Sequence, residues 1–163
     1  MVRKSRKKKP VIRVRECEVV YRIRNCSAPT RQLTDSKAVH ALLRGLGAHE
    51  RATESLWAVL VDARKQLVAV HECARGSIGG VPVAIADVFR AAIIVGACGI
   101  VIAHNHPSGE PDPSPEDLVF TRLVRRAGGL LGVSVLDHVI VGRTRYISLL
   151  DTGQWPELPK NKD

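Results

Sequence analysis

The apolar run Gly-Ile-Val-Ile-Ala at 99–103 leads straight into His104, Asn105, His106 and Pro107, and no other stretch restricts the fold so strongly. Its length and β-branching predict a buried strand. Side chains alternate along a strand, so His104 and His106 are expected on the same side. Pro107-Ser108-Gly109 then breaks the strand. Ser114-Pro115-Glu116-Asp117 reads as a helix start, with serine at the N-cap, proline at N1 and an acid at N3. If that helix folds back on the strand, Asp117 joins the two imidazoles. Two histidines and a carboxylate with a fourth position left open make a catalytic zinc set.

Bulk properties allow this and exclude several alternatives. The 163 residues suffice for one domain with its own core. Aromatic residues are only 4%, so that core must be built from Val, Ile, Leu and Ala. No apolar run reaches the ~18 residues of a membrane span, and no apolar segment follows the charged N-terminus as a secretory signal would require. A cytoplasmic location is expected. Cys17, Cys26, Cys73 and Cys98 lack paired spacing and read as reduced thiols.

The net charge of +9 is concentrated at one end. Residues 1–9 hold six of the 25 bases and no acid, leaving 19 bases against 16 acids, a net of +3. Residues 1–10 are therefore expected to be a disordered basic tail, 11–153 a single domain and 154–163 a polar tail. The cations at 3–9 serve either solubility or weak, non-specific nucleic-acid binding. Membrane binding is not expected, and the oligomeric state is left open.

Alternating and helical periodicities organise the rest. Strands are expected over 11–24, 54–62, 66–72, 133–141 and 146–150, with the second and third forming a hairpin. Helices are expected over 36–46, 83–97 and 115–127, the last with Leu118, Phe120, Leu123 and Val124 apolar and Gly128-Gly129 as its stop. His40 and His49 read as surface residues, and His138 as a structural histidine outside the site. The glycine-rich loop 76–80 lacks the lysine of a phosphate loop. These elements predict an α/β fold, a mixed sheet flanked by helices.

Hydrolysis also needs a carboxylate to move the proton of the attacking water. Glu54, Glu72, Glu110 and Glu116 are candidates, and position alone leaves Glu54 and Glu72 both open.

A lone histidine or a serine cap is commonplace, but the joint pattern is specific: His-x-His, ten residues, then Asp, with Ser three before the Asp. It resembles the JAMM motif of the JAB/MPN+ metalloproteases, and HNHPSG with PSPED is similar to the RadC branch, over about residues 35–150. The resemblance implies a three-layer JAB/MPN fold akin to cytidine deaminase. It also implies Zn²⁺ on His104, His106 and Asp117, Glu54 as the catalytic glutamate, and Ser114 as donor to the developing oxyanion. Asn105 stands where the wider family more often has Ser or Thr. RadC-like proteins usually carry a helix-hairpin-helix region ahead of this domain, and here only a short segment precedes it.

The function implied is a zinc-dependent hydrolase cutting a peptide or isopeptide bond, with a protein or peptide as substrate. The alternative is a DNA repair-associated protein acting on nucleic acid as a metal-dependent nuclease or accessory factor. A silent scaffold is disfavoured because Glu54, His104, His106, Ser114 and Asp117 are all present. A zinc deaminase would need H-x-E and P-C-x-x-C, and the chain has neither.

Overall fold

A computed structural model describes residues 30–76 and 83–159, together with 22, 25, 26 and 28. The basic tail, most of the expected strand 11–24 and the glycine-rich loop beyond Gly76 lie outside the described residues. In chain order the elements are α1 (Ser36–Gly45), β1 (Ser55–Val61), β2 (Leu67–Arg75), α2 (Ile85–Val95), β3 (Gly99–Asn105), α3 (Pro115–Leu131), β4 (Ser134–Val141) and β5 (Tyr146–Ser148). The strands form one sheet in the order β2-β1-β3-β4-β5. The β3–β4 pair is parallel and the others are antiparallel. The mixed α/β sheet expected from the sequence is what forms.

Alternation along the central strands sorts side chains into two cores. Trp57, Val59, Val61, Val101, Ala103, Val139 and Val141 face α1, packing on Val39, Leu42 and Leu43. Leu56, Ala58, Leu60, Ile100 and Ile102 face α2 and α3, packing on Val88, Phe89, Ala92 and Val124. Both faces of β1 and β3 are buried along their whole length, which is why residues 56–61 and 99–103 are continuously apolar. The result is three layers, α1 on one side and α2 with α3 on the other.

One sequence expectation about α3 is corrected. Gly128-Gly129 does not stop the helix, which runs on to Leu131 and ends at Gly132 in the left-handed region, φ +70°. Gly128 serves close packing instead. A Cβ there would lie 2.5 Å from the Val133 carbonyl oxygen and 2.8 Å from Val135 Cγ2. Leu123 is 50% exposed, because the stripe it belongs to borders an open cleft.

The surface reading of His40 and His49 also fails: both are half-buried. His40 stacks on Tyr146 with ring centroids 4.2 Å apart. Burial, then Arg44 and His49, lower its pKa to about 4. Cys26, Cys73 and Cys98 are free thiols. Among the described residues no helix is long and apolar enough to cross a membrane.

Candidate metal centre

The site forms where β1 and β3 end beside the start of α3. In the antiparallel β1–β3 ladder Leu56 pairs with His104. His104 therefore shares the face of Ile100 and Ile102 and points toward α2 and α3. His106 follows the end of β3, and its backbone N–H donates to Val141 O at 3.0 Å, holding the chain extended past the last paired residue. The two Nε2 atoms come to 2.9 Å. Continuing the same register by two residues sets Glu54 opposite His106. Ligand atoms of Glu54, His104 and His106 all lie within 4.8 Å of one another.

Asp117 arrives from the helix cap. Ser114 Oγ accepts from Asp117 N–H at 3.1 Å, while Asp117 Oδ2 accepts from Ser114 N–H at 2.8 Å and from its hydroxyl at 2.7 Å. That reciprocal box holds the carboxylate still. Oδ1 lies 3.3 Å from His104 Nε2, and Oδ2 lies 3.6 Å from His106 Nε2. Asp117 thus stands against both imidazoles on an anchored carboxylate. Glu54, His104, His106, Ser114 and Asp117 line one cleft of about 790 Å³.

The donor set suits a cation. His106 Nδ1 lies 2.7 Å from the Glu110 carbonyl oxygen, which can only accept. The proton of a neutral His106 is therefore on Nδ1, and its Nε2 lone pair faces the cleft. Two imidazole nitrogens at 2.9 Å beside a carboxylate are stabilised by a positive charge between them. The electrostatics agree. Burial pushes the Asp117 carboxyl up, but the adjacent His104 and His106 imidazoles outweigh it and hold it well below the usual carboxylate range. The adjacent Asp117 carboxylate raises His106 above its ordinary value, against the effect of burial.

The other acids are placed elsewhere. Glu72 pairs with Trp57 across β1–β2, on the α1 face. It is bound by Arg75 at 2.6 Å and approached by Arg51 at 3.6 Å. Arg75 first, and then Arg51, lower its pKa despite partial burial. The Glu110 side chain is exposed and bridged by Arg145 at 2.6 Å. Glu116 is exposed on the cleft rim.

Two residues matter more here than their sequence positions suggested. His138 is fully buried, with Nε2 2.8 Å from His104 Nδ1 and Nδ1 2.6 Å from Thr121 Oγ1. Burial first, and then the neighbouring His104, hold it well below the ordinary imidazole range, so it is neutral. A signal was present in the sequence: Asp137-His138 is a polar pair inside an otherwise apolar strand. Asn105 is buried, on the sheet face away from the two histidines. Its Oδ1 accepts from Ser55 N–H at 2.8 Å, and its Nδ2 donates to the carbonyls of Thr53 at 3.2 Å and Arg51 at 3.4 Å. It thereby clamps the segment that carries Glu54.

Residues 33–154 match the family described as the RadC-like JAB domain. Among curated proteins the chain is 40% identical over 100 residues to a UPF0758 protein of Roseiflexus castenholzii, covering 61% of this chain and 43% of that one. It is 39% identical over 111 residues to a UPF0758 protein of Carboxydothermus hydrogenoformans, covering 68% and 49%. A third, from Methanosarcina acetivorans, is 34% identical over 125 residues, covering 77% and 54%. The chain spans about half the length of these relatives.

Proposed function

The chain belongs to the RadC-like JAB domain family, and on that premise we propose that it is a zinc-dependent hydrolase that cuts a peptide or isopeptide bond. His104, His106 and Asp117 would hold the metal, the nitrogen and oxygen donors suiting Zn²⁺. When bound, the ion supplies Lewis acidity, making water a nucleophile near neutral pH and polarising the scissile carbonyl. Glu54, which lines the same cleft, takes the proton from the attacking water and returns it to the leaving amine. Ser114 donates to the carbonyl oxygen as charge develops there. Its hydroxyl is engaged by Asp117 at 2.7 Å, so this role needs the hydroxyl to turn once the carboxylate is neutralised by the ion.

The observation that carries the peptide reading is the lining of the cleft. Beside the donor set it is walled by Leu56, Val83, Ile85, Val119, Phe120 and Leu123, with Glu54 and Glu116 as further acids. None of its described lining residues is Lys or Arg. A cleft that is apolar and acidic suits a peptide chain and repels a phosphodiester backbone, whose recognition rests on cations. The experiment is metal analysis of chelator-free protein followed by a screen of peptides, ubiquitin-like fusions and single-stranded DNA. About one zinc per chain is expected, lost in His106→Ala, with cleavage confined to peptide-type substrates. Equal zinc in wild type and a His104/His106 double variant, or metal-dependent DNA cutting as the sole activity, would overturn the reading.

A further inference from the structure

Behind His104 runs a closed chain of hydrogen bonds that ends on a backbone carbonyl. Thr121 Oγ1 is 2.6 Å from the Asp117 carbonyl oxygen, one helical turn earlier. It is also 2.6 Å from His138 Nδ1, and His138 Nε2 is 2.8 Å from His104 Nδ1. Thr121 and His138 are both 0% exposed and His104 is 1%, so solvent does not compete for these contacts.

The directions of these bonds follow from the terminal acceptor. A carbonyl oxygen has no proton to give, so the single hydroxyl proton of Thr121 goes to Asp117 O. Toward His138 the threonine can then only accept, which puts the ring proton of His138 on Nδ1. Its Nε2 is therefore bare and accepts the proton on His104 Nδ1. What remains on His104 is a bare Nε2, 3.3 Å from Asp117 Oδ1 and 2.9 Å from His106 Nε2. The threonine bond alone would be an ordinary helix back-bond. The buried imidazole on its other side gives it a direction that reaches the metal centre.

We propose that Thr121 and His138 are positioning residues that fix His104 as the Nδ1–H tautomer and present its Nε2 lone pair to the metal. The proposal rests on the metal-site reading above. It adds that the ligand is prepared from within α3, the same helix whose first turn supplies Asp117. One element thus delivers the carboxylate directly and orients an imidazole indirectly, which ties metal affinity to the seating of α3 on β4.

The test uses the full chain in the apo form. Imidazole ¹⁵N NMR at neutral pH assigns the His104 tautomer, and Zn²⁺ titration against a chromophoric chelator measures affinity. Wild type is expected to show a protonated Nδ1 and a bare Nε2 on His104. Thr121→Val keeps the shape without the hydroxyl and should weaken Zn²⁺ binding by about tenfold or more, the usual scale for groups behind a ligand, while mixing the His104 tautomers. Thr121→Ser restores the hydroxyl and should restore both readouts. A wild-type His104 protonated on Nε2, or a folded Thr121→Val with unchanged affinity and tautomer, overturns the proposal. If wild type binds no Zn²⁺, the metal reading fails while the apo tautomer still decides this one. Should Thr121→Val not fold, the wild-type tautomer and the Thr121→Ser affinity decide it.

Discussion

At the scale of single residues the proposed mechanism gives the two carboxylates different work. Asp117 is held by the Ser114 cap beside both imidazoles, and Glu54 stands just ahead of β1 within reach of the same two histidines. Replacing Glu54 with Gln keeps its size and removes its basicity. The expected outcome is retained zinc with hydrolysis reduced ~10²- to 10⁴-fold, the usual worth of a general base. The decisive control is Glu72→Gln: if that variant is inactive and Glu54→Gln is active, the assignment is wrong. A parallel loss of zinc in Glu54→Gln would make Glu54 a ligand. His40 supplies a pH test away from the chemistry. Its folded pKa of about 4 lies below the ordinary 6.5, so between these values the unfolded chain takes up a proton that the folded one refuses. Stability should therefore fall as pH drops from 6.5 toward 4. His106 is raised, so its effect has the opposite sign and fades as pH climbs above the ordinary value. The variant His40→Phe keeps a ring against Tyr146 without the titration, and its melting temperature should decline less over the acid window. An unchanged acid slope would assign the loss to other groups.

At the scale of elements, the unexpected contributions come from residues whose partners are distant in sequence. Asn105 sits between the two histidines but acts on residues 51–55, extending the β1–β3 pairing with a side chain where the backbone ladder ends. Removing a buried amide that serves three backbone groups leaves donors and acceptors unpaired, at about 1–3 kcal/mol each. Asn105→Ala should lower stability measurably in urea. It should also reduce hydrolysis more than zinc content, because the segment it releases carries Glu54 and not a ligand. Zinc and activity lost in equal proportion would argue that Asn105 instead supports the histidines. The α3 helix shows why local signals misled. Two successive glycines read as a stop, but only at Gly128 does the packing against β4 and Phe89 leave no room for a Cβ. Leu123 completes a helical apolar stripe, yet the stripe is shared between core and cleft.

At the scale of the whole molecule, charge and chemistry lie apart. The six bases of residues 1–9 are far in sequence from a cleft whose described lining holds no cation. We expect any DNA or RNA binding to be weak, insensitive to sequence and steeply salt-dependent, since released counterions would drive it and no aromatic residue in that tail can stack on bases. Deleting residues 1–9 should abolish such binding and leave zinc content and peptide hydrolysis intact. Tight DNA binding by the truncated protein in a filter assay at physiological salt would move the nucleic-acid contact into the domain and weaken the peptidase reading.

Sequence alone went far because so much of this fold is written in short-range pattern. The periodicities of β1, β3 and α2, the Ser114 cap and the His-x-His spacing are local consequences of backbone geometry. They were enough to predict a mixed sheet flanked by helices and to propose His104, His106 and Asp117 as one group. The choice between Glu54 and Glu72 was not local: it depended on which face of the sheet each carboxylate joins, and thus on register. What His138 touches was equally hidden, although the polar pair Asp137-His138 marked the position. Its bond to His104 exists only because β3 and β4 pair in parallel with Ile102 opposite His138, and because α3 returns Thr121 to the same point. Contacts of this kind are made by packing between residues 17 or 34 positions apart, and no periodicity in the chain encodes a distance of that sort.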